Sequence, residues 1–286
     1  MKEIHIKIID KMKSLLFLYF CVAMAFSAMA SSVSDTYVIP NPQQMVCGDG
    51  HFVLRAQASF SCNLTGADKD DFVSYVSNSP FSLTYKKKGK ADITFKLVSS
   101  EGNMKEEAYR LKVTKKGIQA EATSASGLFY AFQSIVQLAR ESGNGTYQLP
   151  EVTIEDAPRF SYRGMHLDVS RHFYTKEFVK KQIDALARYK LNRFHWHLTD
   201  GAGWRIEIRK YPELTRETAY RPFPDWKSWW NGGRTYCRQD APGASGGYYT
   251  QEDVKEIVEY ARQRHITVIP EIEMPAHSEE VLAALP

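Results

Sequence analysis

The pattern of apolar and polar positions changes character near Asp156-Ala157-Pro158. Between residues 37 and 154 it is alternation punctuated by turn residues. Ala91-Asp92-Ile93-Thr94-Phe95-Lys96-Leu97-Val98 alternates, as does Tyr109-Arg110-Leu111-Lys112-Val113-Thr114, and each predicts a strand with one buried face. Lys115-Lys116-Gly117 turns the chain, and Ile118, Ala120 and Ala122 continue one face. Ser124 is placed to cap a helix carrying Leu128, Phe129, Phe132, Ile135, Val136 and Leu138, ending near Gly143. Hairpin-linked strands with a packing helix make a small α+β domain with an antiparallel sheet. Nothing in it looks catalytic.

After Pro158 the period lengthens. Residues 163–169 read as a strand, and Thr175 caps a helix with Phe178, Val179, Ile183, Leu186 and Ala187 on its apolar stripe. Residues 192–199 form the next strand. Thr250 with Asp253 resembles a capping box, opening a helix with Val254, Ile257, Val258 and Ala261. Residues 265–272 are a third strand, mostly apolar as buried parallel strands are. Strand, helix, strand, helix, strand implies parallel βαβ units. Residues 209–249 are too many for an ordinary connection and read as a functional loop region.

Three features of composition narrow the class. Lys11-Met12-Lys13, an apolar run over residues 15–26 and Ala28-Met29-Ala30 make residues 1–30 a secretory signal, too short to span a membrane comfortably. The protein is thus expected to be exported, periplasmic or secreted, with no lipid anchor and no stable membrane insertion. The formal charge of +4 falls to about +2 without the leader, and Lys86-Lys87-Lys88 beside Gly89 reads as a solvated turn, so nucleic acid is not an expected partner. Of the 4 cysteines, Cys21 lies in the leader; Cys47 and Cys62 could bridge, but an odd remainder argues against a disulfide framework.

Chemistry gathers at the strand ends. Successive strand side chains face opposite ways, so His195 and His197 share one face while Phe194, Trp196 and Leu198 share the other. Asp200 lies just past that strand, followed by Gly201-Ala202-Gly203. The first strand carries Arg163, His166 and Asp168, and the third runs into Glu271-Ile272-Glu273-Met274-Pro275-Ala276-His277. In a (β/α)₈ barrel the C-terminal strand ends are where chemistry sits.

These residues carry a resemblance. Tyr162-Arg163-Gly164-Met165-His166-Leu167-Asp168-Val169-Ser170-Arg171-His172-Phe173, then His195-Trp196-His197-Leu198-Thr199-Asp200 with Gly203-Trp204-Arg205, then Pro270-Glu271-Ile272-Glu273-Met274-Pro275-Ala276-His277 resemble the β-N-acetylhexosaminidases of glycoside hydrolase family 20. Gly127-Leu128-Phe129-Tyr130 in the small domain fits as well. The fold implied is α/β: an incomplete (β/α)₈ TIM barrel over residues 158–286, preceded by the α+β domain over residues 31–157. The activity implied is removal of terminal β-linked N-acetylglucosamine or N-acetylgalactosamine, with the substrate's own acetamido oxygen as nucleophile, an exception to the two-carboxylate scheme. No cofactor and no metal are implied; the partner is a glycan or amino-sugar oligosaccharide, and oligomeric state is left open.

Carried over residue by residue, the resemblance makes Arg163 the holder of sugar hydroxyls, through its rigid donor fork. Asp200 and His277 form a hydrogen-bonded pair leading to the acid, and His197 lines the pocket. Gly201-Ala202 stands where many relatives have Asp-Gln, and Ala276 where Gly is common. The family's catalytic Asp-Glu pair sits at the end of the fourth strand, and no Asp-Glu sequence occurs after Asp168. Residues 160–286 match about half of a ~250-residue barrel, so the chain by itself is expected to be inactive and the first domain to survive as a separately stable piece. Two other readings compete. His195-x-His197 also begins some zinc hydrolase sites, and the five tryptophans between residues 196 and 230 would suit a non-catalytic sugar-binding protein.

Overall fold

The computed structural model describes residues 36–99 and 105–286. The leader read at residues 1–30 lies outside them. Residues 38–286 form one compact unit.

The first half of that unit builds an eight-stranded sheet from β1 (Gln44–Leu54), β2 (Ser59–Cys62), β3 (Thr84–Tyr85), β4 (Ile93–Leu97), β5 (Tyr109–Thr114), β6 (Gly117–Ala122), β7 (Arg140–Gly143) and β8 (Thr146–Asp156). The strand order is β1-β8-β5-β6-β4-β2-β3, with β7 also paired to β8. The sheet is mixed, which corrects the antiparallel expectation: β1, β5 and β7 pair antiparallel with β8 and β5 with β6, but β2–β3, β2–β4 and β4–β6 are parallel. The cause is α1 (Gly66–Ser77), which carries the chain back across the sheet between β2 and β3, as a parallel connection requires. Helix α2 (Ala125–Leu138) starts as expected, with Gly127 N–H donating to Ser124 Oγ at 3.1 Å. It stops at Leu138, the last residue of its apolar stripe, and β7 turns through Asn144-Gly145, both in the left-handed region, into β8.

The second half holds a parallel sheet of β9 (Gly164–Asp168), β10 (Arg193–His197) and β15 (Thr267–Glu271), with β10 central. Between β10 and β15 lie β11 (Thr199–Asp200), β12 (Gly203–Trp204), β13 (Tyr220–Arg221) and β14 (Ser245–Gly246). Helix α3 (Lys176–Arg188) is capped by Thr175, α4 (Glu213–Thr218) and α5 (Trp226–Asn231) are short, α6 (Gln251–Arg262) opens on the Thr250/Asp253 capping box, and α7 (Glu279–Ala284) follows β15. Phe194, Trp196 and Leu198 are fully buried among Val179, Ile183 and Leu186 of α3 and Ile257 and Ala261 of α6. The alternation read in residues 194–198 therefore holds.

Both halves share one apolar core. Polar bridges reinforce it: Lys190 Nζ donates to Tyr109 Oη at 2.8 Å and pairs with Asp156 at 3.2 Å, Gln137 Nε2 donates to the Arg188 carbonyl at 2.7 Å, and Arg262 pairs with Asp71 at 2.8 Å. A first domain stable by itself is not what this packing supports. Unfolding in urea should show one transition, with tryptophan fluorescence, which reports only the second half, coinciding with far-UV circular dichroism. Glu107→Gln, which removes the carboxylate under Arg163, should lower stability by about 1.5–3 kcal/mol without separating the two signals; two resolved transitions would contradict the shared core.

Candidate active site at the strand ends

The strand registers stack the polar residues in layers. His166, His195 and Ile269 lie side by side across β9, β10 and β15, and Asp168, His197 and Glu271 form the next layer toward the C-terminal ends. Period-two geometry then sends all of them to the face away from α3 and α6.

Asp200 is the meeting point. Its Oδ2 lies within hydrogen-bond distance of His197 Nε2 (3.2 Å) and His277 Nδ1 (3.1 Å), and pairs with Arg171 Nη2 at 2.7 Å. Burial raises the Asp200 pKa, but the His197 bond and the charges of Arg171 and His277 outweigh it and hold the carboxyl below its ordinary range. His197 is pushed up to about 9, by the Asp200 bond first, against burial, and with help from Glu271 and Asp168. Its Nδ1 stands 2.7 Å from Glu271 Oε2, an ion-pair contact rather than a well-aligned hydrogen bond. His277 is 60% exposed and holds φ +50°, an unfavourable backbone for a non-glycine residue and the kind of local strain that gathers at functional sites.

Of the four residues read from sequence, Asp200, His197 and His277 come together. Arg163 does not. It precedes β9, at the opposite end of the sheet. Its guanidinium donates to both Glu107 carboxylate oxygens (2.8 and 3.1 Å), to Tyr130 Oη (3.1 Å) and to the carbonyls of Phe160 and Lys190 (2.7 Å each). No part of that fork faces the mouth, so Arg163 ties the two halves together. The arginine at the site is Arg171, just past β9. It donates to Asp168 at 2.7 Å and forms an ion pair with Asp200, and its side chain is 36% exposed. Its place after a strand, matching Asp200 and His277, was the available signal.

Two further arginines were missed. Arg205 is fully buried without a carboxylate partner among the described contacts. It donates to the carbonyls of Ser170 (2.7 Å), Gly247 (3.2 Å), Ala202 (3.3 Å) and Ala219. Burial, with Arg221 nearby, pushes its pKa down to about 9. Arg221 Nη2 donates to the Arg171 carbonyl at 2.8 Å. The turn that presents Arg171 is therefore held from below by two buried guanidiniums, and the region 209–249 is fastened to the strand ends. Gly201 and Ala202 serve as carbonyl acceptors there, for Tyr236 Oη and for Arg205, through backbone atoms that any residue would supply.

Among the described residues, His166, His197 and Glu271 place ligand-type atoms within 4.8 Å of one another. A tetrahedral zinc would hold its nitrogen and oxygen ligands roughly 3.4 Å apart. The 2.7 Å separations from Glu271 Oε2 to His197 Nδ1 and to His195 Nε2 are those of direct contact instead. Three tryptophans, Trp196, Trp204 and Trp229, are core residues, while Trp226 and Trp230 are exposed and lie 5.4 Å apart. Cys47, Cys62 and Cys237 are free thiols.

Carboxylates, imidazoles and a guanidinium converging past three parallel strands lie where barrel-fold enzymes carry their chemistry. Residues 160–286 match the model for the catalytic domain of glycosyl hydrolase family 20, and residues 35–157 match that family's domain 2. The chain belongs to glycosyl hydrolase family 20. It is 38% identical to a beta-hexosaminidase of Vibrio furnissii over 263 residues, 90% of this chain and 40% of that protein. It is 47% identical to a beta-hexosaminidase of Porphyromonas gingivalis over 189 residues, 64% of this chain and 22% of that one. The crystal structure of a family 20 exo beta-N-acetylglucosaminidase from Vibrio harveyi in complex with N-acetylglucosamine superposes with a TM-score of 0.74 at 34% identity, covering 90% of this chain and 40% of that chain. The chain thus spans less than half the length of these relatives.

The charge on His197 sets a pH dependence. Because its folded pKa is raised, its contribution is complete below the ordinary imidazole range near ~6.5 and is lost as pH rises through about 9. Asp200 works oppositely, losing its contribution as pH falls into the acid range. The melting temperature of His197→Gln should therefore lie furthest below the parent's near pH ~6 and approach it by pH ~10. A difference that does not vary with pH would show that His197 is neutral in the fold.

Proposed function

We propose that this chain is one side of the active site of an exo-acting β-N-acetylhexosaminidase that removes terminal β-linked N-acetylglucosamine or N-acetylgalactosamine with retention of configuration. The observation that carries the reading is the convergence of Arg171, His197 and His277 on Asp200. An ionised Asp200 accepting from His277 orients the imidazole and raises its basicity, so that His277 can tune and reprotonate a neighbouring acid. Arg171 keeps donors beyond those that reach Asp168 and Asp200, and its planar fork suits two adjacent ring hydroxyls. The relatives that the chain matches are beta-hexosaminidases, and the Vibrio harveyi structure holds N-acetylglucosamine.

The acetamido oxygen of the substrate attacks the anomeric carbon, the glycosidic oxygen leaves with a proton from a carboxylic acid, and water opens the resulting oxazolinium ion. The residue that orients the acetamide and the acid are not assigned within this sequence, which holds no Asp-Glu pair after Asp168. Residues 31–286 by themselves should therefore show no turnover of an aryl N-acetyl-β-glucosaminide; saturable turnover would require another acid. The whole enzyme, with its complete barrel, should release the β-anomer first, as followed by proton NMR of the anomeric signal. Release of the α-anomer first would overturn the mechanism. In that enzyme Arg171→Lys should lower kcat/KM by roughly tens to thousands-fold, the equivalent of about 2–5 kcal/mol. Arg163→Lys should lower stability and leave kcat/KM nearly unchanged.

A further inference from the structure

Glu271 has been given no role so far, yet its Oε2 stands 2.7 Å from His195 Nε2, 2.7 Å from His197 Nδ1 and 3.6 Å from His166 Nε2. The carboxylate therefore sits one residue behind the pair at the mouth, linked to it through a single ring. The sequence of contacts runs Glu271 Oε2, His197 Nδ1, His197 Nε2, Asp200 Oδ2, His277 Nδ1. We propose that Glu271 is a positioning residue: its charge beside Nδ1 keeps His197 doubly protonated, and this fixes which nitrogen of His277 carries the proton. The inference rests on the reading of Asp200 and His277 as the working pair, and extends it by two residues into the sheet.

Hydrogen counting fixes the charge on the His197 ring. A neutral imidazole has one N–H and one lone pair. His197 has carboxylate oxygens at both nitrogens and only 5% of its side chain exposed, so a neutral ring would aim a lone pair at an anion with no water to intervene. A doubly protonated ring donates to Asp200 and sets its positive charge against Glu271. The groups around it agree: Asp168 and His166 from β9, Asp200 and His195 flanking its own strand end, Glu271 from β15 with Glu273 just beyond it, and Arg171 and His277 from the loops. The carboxylates of Asp168, Asp200, Glu271 and Glu273 thus outnumber the one permanent cation, Arg171, and a charged His197 offsets part of the excess.

The consequence reaches the mouth. With His197 Nε2–H and Arg171 both donating to Asp200, that carboxylate stays ionised and can only accept from His277. His277 must then carry its proton on Nδ1 when neutral, which leaves Nε2 with a lone pair for whatever occupies the site. Without the charge on Glu271, His197 can turn neutral and adopt either tautomer. One of these presents a lone pair to Asp200, so that Asp200 can hold a proton itself and His277 can take the other tautomer. Glu271 acts through His197 and needs no contact with substrate.

The test reads ring protonation directly and does not depend on turnover. In the full chain with ¹⁵N-labelled histidine, two-bond proton–nitrogen correlations report each ring nitrogen. His197 should show both nitrogens protonated at neutral pH, losing a proton only near pH 9, the value its contacts support. His277 in its neutral form should be the Nδ1–H tautomer. Glu271→Gln keeps the shape and removes the charge; the His197 midpoint should fall toward the ordinary imidazole range near ~6.5, and His277 should become a mixture of tautomers. Glu271→Asp should restore much of the parent pattern. A parent His197 that is neutral at pH 7, measured without any variant, overturns the proposal. So does a Glu271→Gln protein that is less stable but keeps the parent protonation pattern, since a merely structural residue would behave that way. Loss of the Nδ1 proton on adding zinc would overturn it too, in favour of a metal site. If the whole enzyme proves to use another chemistry while the protonation pattern holds, the hexosaminidase reading fails and the linkage through His197 stands.

Discussion

The second half of this chain is organised around one oxygen, Oδ2 of Asp200. A buried carboxylate loses several kcal/mol of hydration, and only close partners offset that loss. Here they come from separate places: His197 from the end of β10, Arg171 from the turn after β9, and His277 from the segment after β15. Each partner is bound to a different strand, so satisfying Asp200 fixes the three strand ends relative to one another. The same contacts that make the carboxylate tolerable also hold the cluster in one arrangement.

A second constraint follows from the first. The turn bearing Arg171 must hold its position while placing a cation between two carboxylates. Arg205 and Arg221 brace it from beneath. Their donors go to the carbonyls of Ser170 and Arg171. Carbonyl partners carry no full charge, so burial costs Arg205 part of its basicity, yet its fork spans three loops at once. Gly246 and Gly247 permit this approach. Both have φ near +150°, and a Cβ on Gly246 would come within 2.9 Å of Arg205 Nη1 and 2.2 Å of the Ala219 carbonyl.

The sequence made local structure legible where a single segment decides it. The caps at Ser124, Thr175 and Thr250 and the alternation in residues 194–198 depend on near neighbours, and all appear in the structure. The parallel strands of the first sheet did not show, because direction depends on where α1 crosses, and residues 66–77 have only a weakly amphipathic pattern. The buried role of Arg205 was hidden as well, since a guanidinium that bonds only to distant carbonyls leaves no charge partner to find in sequence. Arg163 was misread for a related reason. Its motif suggests a sugar-binding arginine, and the partner that decides its role, Glu107, lies 56 residues earlier in a domain that looked unrelated to the site.

Arg163 and Arg171 show how one strand divides two tasks. They flank β9, the first before its N-terminal end and the second beyond its C-terminal end. At the lower end the backbone N–H groups and carbonyls of the loops are packed against the first domain, and Arg163 uses its donors completely, on Glu107, Tyr130 and two carbonyls. That arrangement binds nothing further and is suited to stability. At the upper end Arg171 has two carboxylates within reach but remains more exposed, with donors in hand. The same side chain is therefore fully engaged or keeps donors in hand according to which strand end it occupies. The separation of stability from chemistry along each barrel strand is here visible in a single run of nine residues.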